Sequence, residues 1–271
     1  MSEKESYARD RVSFGVIASA AVVVLIIVVG IFVYLGRDSS GSSGEKATAA
    51  AGSGADGFAT PEVDILGRRV DIPNNPAGQP LPQDPSRQRK PSDPDWLTAA
   101  PEGTTAPRGW QRVYGASVPF STSDGPTRIE DGLAVGYSHT PQGAVLAAAQ
   151  ITYRLNARPA DRDLYVRQVR VSAQQIAAYD KALSQDKLPE QQPEKVTRYF
   201  VASDAFKVEN YADDLAIIQL ATRGPVVDGK QLWAALRLVM VWDAGDWRLK
   251  PATSNNTQTE YAESLNGWTK W

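Results

Sequence analysis

The sequence predicts an α+β domain carried behind a single apolar helix, and three observations predict it. Helical periodicity comes first in the carboxy-terminal half and long alternating strands follow, the order of an α+β chain. Residues 12–36, between Arg11 and Arg37, contain no charged side chain. Residues 37–109 then hold 10 of the chain's 18 prolines with only two aromatics, Phe58 and Trp96.

The 25 uncharged residues 12–36 include an all-aliphatic run from Val22 to Val29. As a helix they would be roughly 37 Å long, more than the ~30 Å hydrocarbon layer. Phe32 and Tyr34 sit at one end, where aromatic rings favour the membrane interface. The run exceeds the apolar core of a cleaved signal, and Ala47-Thr48-Ala49 lies well beyond it, so an uncleaved anchor is expected. Lys4, Arg9 and Arg11 precede it and only Arg37 and Lys46 follow closely. That bias places residues 1–11 in the cytoplasm and the large domain outside.

Residues 37–109 are expected to form a flexible tether. Ser39–Gly57 is Gly/Ser/Ala-rich, and Pro73–Pro107 is punctuated by proline. An apolar island, Val63 to Ile72, interrupts it. A docking peptide and a transient cluster are both consistent with its composition.

Order is expected from Trp110 onward, with a strand at Trp110–Tyr114 and a turn at Gly125-Pro126. Thr140 followed by Pro141 is a helix start, and Ala144, Ala148, Ile151 and Leu155 then make one apolar stripe. A second helix is expected over Asp161–Arg170. A third follows Ser172, whose partner Gln175 completes a capping box. After Pro193 the period becomes that of strands: Arg198–Val208, Asp214–Thr222 and Gln231–Asp243. Asp243-Ala-Gly-Asp246 turns a hairpin into Trp247–Lys250. A tail begins near Pro251, with a loop at Asn255–Thr259 and a helical turn at Glu260–Leu265.

Composition restricts the chemistry. With 29 Lys+Arg against 31 Asp+Glu there is no basic footprint for direct contact with nucleic acid. The chain has no cysteine and one histidine, which excludes disulfides, thiolate metal sites and His-rich zinc sites. His139 adjoins Ser138, but neighbours in extended chain point to opposite faces, and no Gly-x-Ser-x-Gly elbow occurs. Asp161 and Asp163 suit a helix start, and Asp213-Asp214 and Asp243/Asp246 suit turns. No catalytic residue, cofactor or metal site is expected. Five of the seven tryptophans lie beyond residue 230. Trp242 and Trp247 read as packing residues. Trp233, Trp268 and Trp271 are candidate contact residues, joined by Tyr137 and His139 at the helix start. The two tail tryptophans should be covered, by the domain's own sheet or by a partner.

Helices followed by meandering strands, with Gly136-Tyr-Ser-His-Thr-Pro-Gln-Gly-Ala144 and the hairpin Val241–Leu249, resemble the nuclear transport factor 2-like fold over residues 110 to about 250. With the anchor and tether, the chain resembles membrane-anchored proteins of that fold in Gram-positive, notably actinobacterial, conjugation and type IV secretion machinery. The paired strand-like stretch before the first helix departs from the simplest form of that fold. The resemblance implies a bent antiparallel sheet wrapping the helices into a cone. It also implies a single-pass, non-enzymatic scaffold or adaptor in an envelope-spanning complex, probing no substrate of its own. Its partners would be the lipid bilayer and other complex subunits, with a homo-oligomer left open. The alternative is a domain whose apolar cone binds a lipid or small ligand.

Overall fold

The computed structural model describes residues 56–252 and 259–271. The expected tail 1–11, the apolar run 12–36, the first part of the tether and most of the Asn255–Thr259 loop lie outside them. Among the described residues no helix is long and apolar enough to cross a membrane.

Among the described residues, strands are present well before the one expected at Trp110. A hairpin of β1 (Phe58–Val63) and β2 (Arg69–Pro73) takes up the apolar island. β2 meets β3 (Trp110–Val113) in parallel at Asp71 and Gln111, and β3 pairs antiparallel with β4 (Ala116–Pro119). The tether expected over 37–109 is therefore corrected from residue 56 onward. Its proline-rich part is fixed by side chains rather than ladders. Gln111 accepts from the Gln79 N–H at 2.8 Å and donates to the Gln79 and Arg108 carbonyls. Gln83 donates to the Leu81 and Ser121 carbonyls, and Gln88 to that of Ser123. Glutamine amides thus satisfy backbone groups that prolines leave without a regular partner. Val70, Ala77, Leu81 and Ala99 are buried in the process.

A ribbon of β5 (Arg128–Glu130) and β6 (Leu133–Val135) leads to α1 (Pro141–Ala157). Thr140 caps α1 as its sequence predicts, accepting from the Gly143 N–H at 3.0 Å. The expected stripe is buried, but so is nearly every other residue of the helix. The reason is the small sheet whose strands flank the proline-rich segment: its β4 packs on α1, as does the main sheet. Alanines at 144, 147, 148 and 149 let both approach closely.

α2 (Arg162–Gln168) starts at the Asp161 cap, and α3 (Ala173–Leu183) carries the complete capping box of Ser172 and Gln175. A one-turn α4 (Glu194–Thr197) follows Pro193, so the strand expected from Arg198 starts later, as β7 (Ala205–Ala212). β8 (Leu215–Val227), β9 (Lys230–Asp243) and β10 (Asp246–Lys250) complete an antiparallel meander. β8 is interrupted between Arg223 and Val226, where Pro225 has no N–H to give the ladder.

The tail returns to this sheet twice. β11 (Thr259–Ala262) pairs with Leu236–Trp233 of β9, beyond the end of β10. A helical turn at Glu260–Leu265 is thus corrected: an open sheet edge overrides local preference. β12 (Thr269–Lys270) crosses to the opposite edge and pairs with Phe206 and Ala205 of β7. Trp271 then packs on Phe206 and Trp110, centroids 4.9 and 5.2 Å away, and its indole donates to Ser203 Oγ. Deleting residues 260–271 is therefore expected to destabilise the domain by about 2 kcal/mol, from one indole and two short ladders. A calorimetric melt unchanged by the deletion would refute this.

Candidate functional site

Two places on the fold concentrate polar and aromatic side chains: the amino end of α1, and a cleft between α1 and the main sheet. At the first, Asp124 is buried and gathers hydroxyls. Ser138 Oγ and Thr140 Oγ1 both donate to its Oδ1, at 2.6 and 2.7 Å, and Ser123 Oγ donates to Oδ2. Thr140 Oγ1 in turn accepts the α1 cap, so the carboxylate charge reaches the helix start through one hydroxyl.

His139 turns away from this network. Its ring stacks on Trp242 at 4.0 Å and 8°, and Nε2 bonds the Asp213 carbonyl, which makes Nε2 the protonated nitrogen. Ser138 and His139 diverge as adjacent residues of extended chain do. Tyr211 donates to the His139 carbonyl at 3.1 Å, and Trp247 donates to the Ser138 carbonyl at 2.9 Å. Trp96, Tyr211, His139, Trp242 and Trp247 form one continuous aromatic cluster, only Trp247 of them fully buried.

Tyr137, expected among contact residues, lies in the core, which removes it from any surface role. Burial, with Asp246 nearby, pushes its hydroxyl well above the usual 10; Arg154 opposes that. Asp246 does more than make the expected turn. Its carboxylate accepts from the Gly136, Tyr137 and Trp247 N–H groups and so joins the β9–β10 hairpin to the helix start. Trp271, Trp268 and Trp233 are all half-buried, Trp271 packed against the domain's own core and Trp233 on β9. The five candidate contact residues therefore do not converge on one site.

Burial raises the Asp246 carboxyl above its ordinary 3.8, against the pull of its three backbone donors. Because the folded value exceeds the unfolded one, this group's contribution is greatest below the unfolded pKa and declines as pH rises through the folded one. On acidification from pH 7 to 4, the native chain should gain stability relative to Asp246→Asn. Urea midpoints that differ by a constant across that range would contradict this.

The second place is a narrow cleft of about 50 Å³ between α1 and strands β8, β9 and β11. Leu220, Leu236 and Phe200 give it apolar walls, and among the described residues no lining side chain is charged. Thr152 and Asn156 of α1, one turn apart, line it while 3% and 5% exposed. Thr152 Oγ1 and Asn156 Oδ1 have no hydrogen-bond partner among the described residues. Beside them Tyr153 and Thr222 share a hydrogen bond at 3.2 Å. Burial raises the Tyr153 hydroxyl above 10, partly offset by its hydrogen bond to Thr222. The sequence did carry a signal for this pair: Thr152 and Asn156 continue the line of Ala144 and Ala148 at four-residue spacing, polar residues set into an apolar stripe.

A family model, described as a domain of unknown function (DUF8175), matches residues 71–270. The chain belongs to the DUF8175 family. The match runs from Asp71 in β2 to Lys270 in β12, so the DUF8175 domain takes in the proline-rich segment before residue 110 and leaves out β1. No curated protein and no solved structure matches the chain. Among the described residues of this DUF8175 domain, no group of three or more His, Asp or Glu side chains is placed to hold a metal ion.

Proposed function

We propose that this chain is a non-enzymatic scaffold or adaptor subunit, anchored in a cell membrane by residues 12–36, with its DUF8175 domain outside. Helices resting on an antiparallel meander support the nuclear transport factor 2-like reading of the domain. The resemblance in sequence supports an envelope-spanning complex of the conjugative or type IV secretion kind. Its partners are then the bilayer and other subunits, further copies of the chain among them.

The observation that carries the adaptor reading is the far end of β8 and β9. Val226, Val227 and, on β11, Tyr261 are 64%, 47% and 48% exposed. The Tyr261 ring reaches across β9 to Gly224, which makes one apolar end of the sheet. Val226 and Val227, neighbours in a strand, expose apolar side chains on opposite faces of the hairpin tip, so a partner that covers both would grip the tip from either side. Val226→Asp with Val227→Asp, on a hairpin tip outside the core, should leave the melting temperature within about 2 °C. It should also abolish the high-mass complex that the native chain is expected to form, read by native electrophoresis of solubilised host membranes. A complex that survives the double substitution would overturn the reading.

The cleft favours a second reading, a ligand-binding domain. Apolar walls with a few fixed polar groups are the usual make-up of small-molecule sites.

A further inference from the structure

We infer that a cavity at the β9–β10 turn takes a neutral pyranose ring, as a free sugar or as the end of a glycan. The cavity lies where the β5–β6 ribbon and the end of α2 meet that turn, and its volume is about 200 Å³. That is the share of about seven waters in the liquid, room for one six-membered ring with its hydroxyls. The site shares no residue with the cleft beside α1 or with the tip of β8 and β9.

Charge decides the ligand class. Arg128, Arg167 and Arg248 line the cavity together with Glu130, Asp243 and Asp246, three cations with three carboxylates. Neither sign of ligand gains a net attraction there. The ion pairs are already made. Glu130 sits between Arg128 and Arg167. Asp243 Oδ2 sits between Nη1 of Arg248 at 3.3 Å and Nη1 of Arg170 at 3.0 Å. An anion would compete with these carboxylates for the arginines, and a cation with the arginines for the carboxylates. A hydroxyl displaces neither, because it accepts from a guanidinium while it donates to a carboxylate.

Capacity for such bonds is left. A guanidinium carries several N–H donors. Among the described residues, those of Arg128 bond Glu130 and Thr127, and those of Arg167 bond Asp131. The three arginines, Glu130 and Asp243 are half-buried or exposed, so their polar atoms are open to a ligand. Asp246 only balances charge, since both its oxygens accept from backbone N–H groups. Leu133, Val135 and Trp247 supply a smaller apolar part of the lining, which suits the C–H face of a pyranose.

The test titrates the full chain in lipid nanodiscs with the methyl pyranosides of glucose, galactose, mannose and N-acetylglucosamine, read by NMR of alanine methyl groups. At least one should shift the Ala244 signal saturably. Cyclohexanol, a ring of the same size with a single hydroxyl, should bind about tenfold more weakly or not at all. Arg167→Ala, at an exposed position whose ion pairs contribute little to folding, should weaken the sugar about fivefold. Arg248→Met should do the same and leaves Arg170 on Asp243. A trisaccharide of the sugar that binds separates the two sources. Affinity equal to the monosaccharide's marks a glycan end, and exclusion marks a free sugar. Cyclohexanol binding as tightly as the best pyranoside, or inorganic phosphate displacing that pyranoside, would overturn the ligand class. Affinity unchanged in both arginine variants, or no saturable shift with any of the sugars, would overturn the site itself.

Discussion

Replacing Trp247 by alanine is expected to cost about 4 kcal/mol, which in a domain of this size lowers the melting temperature by roughly 8–16 °C. The indole is fully buried and contacts three other rings, those of His139, Tyr211 and Trp242, with centroids 5.2–5.9 Å away. Removing it leaves a cavity larger than its neighbours can refill. It also strands the Ser138 carbonyl, which loses its donor at 2.9 Å. Trp247→Phe should recover most of the loss, since it keeps a ring and forfeits chiefly that hydrogen bond. The comparison is made by urea titration of both variants. Equal losses for alanine and phenylalanine would show that the ring packing contributes little.

Gly143→Ala should also destabilise, by about 3 kcal/mol, although alanine is the better helix former by about 1 kcal/mol. Gly143 lies in the first turn of α1, where the chain before the helix folds back across it. A Cβ there would stand 2.1 Å from the Ser138 carbonyl oxygen and 2.7 Å from Ser138 Oγ. Backbone cannot yield as a side-chain tip can, and Ser138 is held on three sides. Its hydroxyl bonds Asp124, its carbonyl bonds the Trp247 indole, and its N–H donates to the Asp124 carbonyl. The substitution therefore displaces the carboxylate network, the helix cap and Trp247 together. A melt equal to or above that of the native chain would refute the predicted clash.

Local chemistry was legible in the sequence wherever it was self-contained. Thr140-Pro141, the Ser172–Gln175 box and the Asp243–Asp246 turn each draw on residues within one turn of chain, and each stands where the spacing put it. The proline-rich stretch was not legible, because what orders it lies elsewhere. Gln79 is held by Gln111, thirty-two residues on, and Gln88 by the Ser123 carbonyl. Composition records prolines but not which distant amide will serve their neighbours. β11 was hidden for the same reason, since its partner is an edge of β9 that exists only once β10 has stopped short. Of the site, His139 and Tyr137 were marked by their place at a helix start. The cleft needed the opposing strands before Thr152 and Asn156 became distinguishable from ordinary helix residues.

The hairpin at the amino end has a mechanical consequence. β1 is exposed along nearly its whole length and has β2 as its one ladder partner, with the Arg112–Glu62 ion pair and Arg108 over the Phe58 ring as its outer contacts, whereas β2 is largely buried and tied to β3. Tension entering at Asp56 meets the contact of the Gly57 N–H with Gln79 Oε1 and then the Phe58–Pro73 rung. Each rung loads in turn while the next stays unloaded, so β1 unzips at low force instead of shearing as a unit. It is a sacrificial strand: several residues of slack are released before any pull reaches the buried network around Asp71 and Gln111.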